Sequence, residues 1–272
     1  MSETPYHFKV GQFECIVFAY MNNPADITMM TGRFPSQSQE ELEQAIQASG
    51  APITGTMNIL YIRTPEHHVL VDTGMGGADS ALPAGLEQEG IKREDIDGIV
   101  ITHGDGDHIG GITQPDGALT FPNASYDMWK SEWDFLMNRV ATSDDPKDPA
   151  RVNLLPIKDR VHLIDHETEI LPGIWTLPMP GHKIGHSGLL LESNGEKLLH
   201  IVDAAHHPMQ LNHTEWSPRF DTGPETAIQT RKAVFDRAVR EHLLVMAYHF
   251  PFPGLGHIIE ENGVRRLEPV KP

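Results

Sequence analysis

Short apolar runs, separated by glycine, proline and acidic turns, set the rhythm of this chain. Residues 13–20, 57–63 and 68–72 are rich in Ile, Val, Leu and aromatic side chains and predict three early strands. The segment 21–52 is mixed; within it 40–48 predicts a short helix with Leu42, Ala45 and Ile46 along one side. Asp72-Thr73-Gly74 stops the third strand, the polar stretch 87–94 includes part of a helix, and 98–102 predicts a short buried strand. Residues 109–112 open a helix, 129–138 predicts another with Trp133 and Met137 one turn apart, and 141–150 reads as a polar loop. Further strands are predicted at 161–164, 174–177, 187–192 and 197–202. Thr222-Gly223-Pro224-Glu225 has the form of a capping box, with Thr222 at the N-cap of a helix that buries Ile228, Phe235 and Val239. A last buried strand spans 242–248, and a Pro/Gly-rich loop follows. Strands and helices alternate in two β-rich halves with no linker and no internal repeat, which predicts one domain of two packed sheets with helices outside, spanning residues 1–272.

Charge narrows the function. The 272 residues carry 38 acidic and 21 basic side chains, a formal net charge of −17, and no basic run longer than a dipeptide. Binding to a phosphate backbone needs clustered Lys and Arg, so a nucleic-acid partner is not expected and a neutral or modestly charged small molecule is. Cys15 is the only cysteine, so no disulfide can form within the chain. Residues 1–11 are polar, without the basic start and apolar run of a secretory signal, and no apolar run approaches the roughly 20 residues that span a bilayer. A cytoplasmic protein with no membrane partner is therefore expected.

The chemistry concentrates in four segments. In Thr102-His103-Gly104-Asp105-Gly106-Asp107-His108-Ile109-Gly110-Gly111, four imidazole or carboxylate groups lie within six residues, and glycines allow the sharp turns that aim them at one point. His182 stands among glycines in Pro180-Gly181-His182-Lys183-Ile184-Gly185-His186-Ser187, again after a strand. The apolar run Leu199-His200-Ile201-Val202 ends in Asp203, and Val245-Met246-Ala247-Tyr248 ends in His249. An acidic turn, or a lone histidine at a strand end, is commonly structural. Four strand ends carrying seven donors in this order point to a metal site.

That order and spacing, from about residue 57 to 249, resembles the metallo-β-lactamase superfamily, and Leu70-Val71-Asp72-Thr73-Gly74 resembles its early strand and loop. The resemblance implies an α+β protein with an αββα sandwich and two metal ions at one edge of its sheets. By position it implies His103 and His182 on the first metal, Asp107, His108 and His249 on the second, and Asp203 between them. Asp105 departs from the family's usual His-x-His-x-Asp-His. With Asp105, Asp107 and Asp203 all as ligands, two dications and a bridging hydroxide sum to a neutral site, a weaker Lewis acid than usual. Zinc is expected; the extra carboxylate also suits Mn or Fe.

The resemblance further implies a hydrolase in which a hydroxide held by the metals opens a lactone or cleaves a carboxylic ester of a small molecule. The His-Ile-Gly-Gly ending, residues 121–124, Glu132-Trp133 and Tyr248-His249-Phe250-Pro251 are similar to the branch of lactonases and organophosphate hydrolases. A phosphotriesterase or phosphodiesterase, and a non-catalytic sensor with a degenerate site, are the alternatives; a nuclease and a periplasmic β-lactamase fit the charge and the N-terminus poorly. Asp107 is expected to accept a proton or steer the nucleophile, His206 (or His207) to protonate the leaving group, and Tyr248 to donate to an oxyanion. His186 is expected to play a supporting part. Met29, Met30, Phe34 and the apolar loop Phe250-Pro251-Phe252-Pro253 are candidates for pocket walls; the loop equally suits a packed terminus or a homodimer contact.

Overall fold

The computed structural model describes residues 3–78 and 80–270. The first half of the chain builds one sheet from β1 (Tyr6–Val10), β2 (Phe13–Pro24), β3 (Thr54–Arg63), β4 (His68–Val71), β5 (Gly98–Ile101), β6 (Ser125–Trp129) and β7 (Val161–Ile164). The second half builds another from β8 (Thr168–Leu171), β9 (Ile174–Pro178), β10 (Ser187–Ser193), β11 (Glu196–Val202), β12 (Leu244–Ala247), β13 (Leu255–Glu261) and β14 (Val264–Pro269). In each sheet, neighbours in space are neighbours in sequence. The helices are α1 (Ile27–Arg33), α2 (Gln39–Ser49), α3 (Ala81–Gln88), α4 (Gly106–Ile109), α5 (Lys130–Thr142), α6 (Pro149–Asn153) and α7 (Pro224–Arg240).

Alternation along the strands sorts side chains into layers. Val17 (β2), Leu60 (β3), Val71 (β4) and Val100 (β5) meet Leu189 and Leu191 (β10), Leu198 (β11) and Met246 (β12) between the sheets. Their sequence neighbours Phe18, Ile59, Leu70 and Ile99 face outward, where Leu82, Leu86 and Leu136 of α3 and α5 cover them. On the far side, Leu199, Ile201 and Val245 lie under Val234, Phe235 and Ala238 of α7. This is the expected αββα sandwich. Strands buried on both faces explain the near-continuous apolar runs in the sequence.

The strand pairs β4–β5, β5–β6, β6–β7 and β11–β12 are parallel. Parallel neighbours need crossover connections, and the helices α3 to α7 all lie in them. The C-terminal ends of β4, β5, β11 and β12 thus open into loops at one edge, and these loops carry Asp72, His103, Asp203 and His249.

The elements depart from the sequence pattern in several places. β6 runs directly into α5 without a glycine or proline, so its strand character is masked by the helical spacing beyond Trp129. α3 starts at Ala81, ahead of the polar stretch, and α4 starts at Gly106, inside the metal motif. β13 and β14 form a hairpin where a loop was expected; its turn is Asn262-Gly263, both at positive φ, a strong hairpin signal hidden behind Pro251, Pro253 and Gly254. The N-cap of α7 is Gly223, not Thr222. The Thr222 hydroxyl instead donates to the His182 carbonyl at 3.0 Å. α7 buries Ala227, Arg231, Val234, Phe235 and Ala238, one position round from the predicted face.

Leu191 is fully buried between the sheets. Leu191→Ala is expected to cost about 2–5 kcal/mol by leaving a cavity that two packed sheets cannot close. Denaturant unfolding measures this, and a loss below about 1 kcal/mol would contradict the layered core.

Candidate metal centre

All seven predicted ligands converge. Asp203 Oδ2 lies 3.3 Å from His249 Nε2, 3.4 Å from His182 Nε2, 3.6 Å from His108 Nε2 and 3.9 Å from His103 Nε2. On one side of it Asp105 Oδ2 is 3.5 Å from His182 Nε2 and 3.8 Å from His103 Nε2. On the other, Asp107 Oδ2 is 3.5 Å from His249 Nε2 and 3.9 Å from His108 Nε2. Metal–ligand bonds of roughly 2.0–2.2 Å in a tetrahedron put donors roughly 3.3–3.6 Å apart, so both clusters have the size of a cation's coordination shell. The Nε2 atoms of His103, His108 and His182 and Oδ1 of Asp203 are buried without a hydrogen-bond partner among the described residues. Buried polar atoms are ordinarily satisfied. The three nitrogens, with Asp203 Oδ2 between them, converge on two points that divalent cations fit.

Each imidazole is aimed by its other nitrogen. His108 Nδ1 lies 2.7 Å from Asp72 Oδ2, His182 Nδ1 3.0 Å from Asp221 Oδ1, His249 Nδ1 2.7 Å from the Thr56 carbonyl, and His103 Nδ1 3.1 Å from Thr102 Oγ1. Asp72 is fully buried and also accepts from the amide and hydroxyl of Thr102, at 2.9 and 2.7 Å. Asp221 is held in turn by Arg231, a buried guanidinium on α7 that also donates to the Ala204 carbonyl. Glu132 on α5 ties two metal loops together, accepting from the amides of Gly104 (3.2 Å) and Gly185 (3.0 Å). A Cβ at Gly185 would fall 2.4 Å from the Glu132 nitrogen, so only glycine permits this approach. None of Asp72, Asp221 and Arg231 was assigned to the site from sequence. Asp72 had a signal, an acidic strand end before Thr73-Gly74; the other two lie outside the four donor-bearing segments.

Burial works to raise the Asp203 carboxyl, but His249, His108 and His206 facing it hold it well below the usual carboxylate range. His186 is pushed down to about 3 by burial, with neighbouring His182 adding to it. Its Nδ1 donates to the Met179 carbonyl (2.7 Å) and its Nε2 accepts from the Asp203 amide (3.2 Å), so it braces the central carboxylate as a neutral ring.

The other expected groups fall differently. Tyr248 is fully buried, and its hydroxyl donates to the Asp107 carbonyl at 2.6 Å. It therefore does not point an O–H at a reacting oxygen; it fixes the Asp107 turn and packs against the His108 ring. His206 does face the site, with Nε2 3.4 Å from Asp203 Oδ2 and its ring stacked on His249. Burial pushes it down to about 3, which makes it a neutral imidazole and not a ready acid. His207 is structural: it caps a short turn at Met209 and lies 3.2 Å from the Pro52 carbonyl. Phe250 is part of the core under α7, so the apolar loop is a packed segment and not a pocket wall. Met29 lines the cleft, while Met30 and Phe34 anchor α1 in a core with α2.

Asp105 has a partner that sequence spacing did not reveal. Lys183 Nζ lies 2.8 Å from Asp105 Oδ2 and also donates to the Phe220 carbonyl. Burial opposes the charged form of Asp105, but His182 and Lys183 hold it down to about 2. The expected charge count therefore needs correction: the negative charge that Asp105 adds is matched by an adjacent ammonium.

The cleft above the donors holds about 380 Å³, walled by Met21, Met29, Met57 and Phe220. Past Gly106 and Asp107 it adjoins a wider groove of about 1040 Å³ lined by Met75, Lys147, Pro149 and Val152.

Residues 54–237 match the metallo-beta-lactamase superfamily, and the chain belongs to that superfamily. It is 26% identical over 214 residues to a probable metallo-hydrolase of Mycobacterium tuberculosis, covering 60% of this chain and 66% of that protein. It is 25% identical over 233 residues to an N-acyl homoserine lactonase of Bacillus thuringiensis, covering 76% of this chain and 83% of the lactonase. Among solved structures it is similar to AidC, a dizinc quorum-quenching lactonase with a product bound, at 26% identity and a TM-score of 0.85, covering 98% and 97% of the two chains. No helix among the described residues is long and apolar enough to cross a membrane.

The purified protein is expected to hold about two divalent ions per chain, and Asp72→Asn or Asp221→Asn to weaken binding roughly 10–100-fold by releasing one imidazole. Elemental analysis with chelator competition checks both; unchanged affinity in both variants would remove the orienting role. Asp105→Ala is expected to lower content to about one ion. Asp105→His should bind the first ion more weakly than Asp105→His/Lys183→Met, because the ammonium then faces a dication without its carboxylate. Equal affinities in those two would sink the charge pairing.

Proposed function

We propose that this protein is a metal-dependent hydrolase that opens a lactone or cleaves a carboxylic ester of a small molecule, with two zinc ions as its working metals. The observation that carries the reading is the convergence of three carboxylates and four imidazoles on two points at the floor of an apolar-walled cleft. Bound there, two divalent ions supply Lewis acidity and an activated water. His103, Asp105 and His182 would hold one ion and Asp107, His108 and His249 the other, with Asp203 placed to serve both.

The remaining chemistry belongs to the chain. Asp107 reaches the cleft with a part-exposed carboxylate, placed to accept a proton and steer an attacking oxygen. His206, neutral and facing Asp203, offers an N–H to the leaving oxygen rather than a full proton. Met21, Met29, Met57 and Phe220 exclude water from the reacting carbonyl, and the groove beyond Asp107 gives room for an acyl chain. The likeness to lactonases, at 25–26% identity, supports a carboxylic substrate. A reducing compartment is part of the same proposal, supported by a chain whose single cysteine, Cys15, allows no internal disulfide.

The test is turnover by metal-loaded protein of a panel of N-acyl lactones, aryl esters and phosphotriesters. Lactones and esters are expected to be hydrolysed, and Asp203→Ala to lose nearly all activity while circular dichroism shows a folded protein. Two bound ions without turnover of any carboxylic substrate would favour ligand sensing instead.

A further inference from the structure

The cleft contains a cation that the hydrolytic chemistry does not use. Arg33 is the last residue of α1 and lines the cavity that holds His206, Asp203 and Phe220. Its position is fixed from both sides. Met30 and Phe34, flanking it in sequence, are fully buried against α2, and its own carbonyl accepts from the Arg219 amide at 2.8 Å. The guanidinium itself is poorly satisfied. Its one hydrogen bond is a long one, 3.5 Å from Nη1 to the His206 carbonyl, and it has no ion-pair partner among the described residues. A basic residue at a helix C-terminus often does no more than complement the helix dipole. This side chain instead reaches across to the carbonyl of a residue in the metal cluster.

Burial disfavours the charged form of Arg33, and the carboxylates that oppose this are Asp203 and Asp107. Both are assigned to metal ions in the loaded protein. With two dications in place, Arg33 faces positive charge and has no anion of its own. A half-buried guanidinium left this way is costly. Its planar fork matches a carboxylate through two parallel N–H donors.

We propose that Arg33 forms an anion subsite, so that the pocket takes esters or lactones whose apolar body carries a second, unreacting carboxylate. This deepens the hydrolase reading above and rests on it for the word substrate, though not for the binding of the anion. The reacting carbonyl would lie over the seven donors, the methionines and Phe220 cover the apolar body, and Arg33 receives the carboxylate at the α1 end of the cleft.

Mono-p-nitrophenyl adipate and its neutral methyl ester, assayed with metal-loaded wild type, Arg33→Met and Arg33→Lys, test this. Arg33→Met is expected to raise KM for the acid about tenfold or more, the range of one charged hydrogen-bond pair, and to leave the methyl ester within about twofold. Arg33→Lys should recover part of the loss, since it keeps the charge without the fork, and it also covers the case in which methionine disturbs α1. Titration calorimetry with 6-oxoheptanoate and its neutral counterpart 2,7-octanedione, ketones with no bond to hydrolyse, reads binding without turnover. Wild type should prefer the acid, and Arg33→Met should lose about tenfold of that preference. If no ester is hydrolysed but the preference falls, the hydrolase reading fails and the anion subsite stands. An acid preference that is the same in wild type and Arg33→Met overturns the subsite, as does an equal loss for acid and ester.

Discussion

One carboxylate oxygen, Asp203 Oδ2, lies within 3.3–3.9 Å of five imidazole nitrogens. So dense a set of buried donors is tolerable only where a cation, or a proton shared among them, compensates it. The backbone is bent to make the placement. Val202, immediately before, sits at a φ of 49°, rare for a β-branched residue, and the register between β11 and β12 shifts between His200 and Val202. A positive φ in valine is a strained conformation that surrounding structure must impose. The imposing contacts are the Asp203 amide on His186 and the Ala204 carbonyl on Arg231, which hold the turn from the β10 side and the α7 side.

From that point outward the site is a set of nested hydrogen bonds. The imidazoles are aimed by Thr102, Asp72 and Thr56 on the first sheet and by Asp221 on the approach to α7, while one of the rings so aimed, His249, follows β12 of the second sheet. The two sheets must therefore be docked in one relation for the donors to meet. The Ser187 amide donating to the Thr102 carbonyl, and Asn58 donating to the Ala247 and Phe250 carbonyls, fix that relation at the metal edge. Packing between the sheets and geometry at the metals are thus one problem, because an error in the first displaces ligands contributed by different layers.

How much of this was legible follows from where each signal resides. The ligands stand at strand ends beside glycines, where local patterning changes abruptly, so His103, Asp107, His108, His182, Asp203 and His249 could be read directly from the chain. The layered fold was legible because alternating burial on both faces writes continuous apolar runs. Asp221 and Arg231 could not be read, because their meaning depends on α7 returning across the second sheet, a contact with no short-range trace. Tyr248 shows the opposite failure: adjacency to a ligand suggested a chemical role, yet alternation along the chain turns its ring to the core while His249 turns to the cleft. The Asn262-Gly263 turn was readable and was masked by the prolines before it.

Charge joins the departure at Asp105 to the character of the cleft. A carboxylate replacing a neutral imidazole would by itself reduce the pull of the site on an oxygen. Lys183, two bonds' length from that carboxylate and partly buried, restores what Asp105 removes. Three carboxylates then face two dications, an ammonium and, a little further off, the guanidinium of Arg33, so the loaded cleft carries an excess of positive charge. The chain as a whole is strongly acidic, at −17. These are not in conflict, because exposed charge is screened over about 8 Å at physiological ionic strength while charges inside a narrow cleft are screened far less. An acidic exterior slows the approach of an anion without weakening the contacts it makes once inside. Selectivity for such a ligand would then reside in its dissociation, at the short range where Arg33 and the metal ligands act, and not in long-range steering.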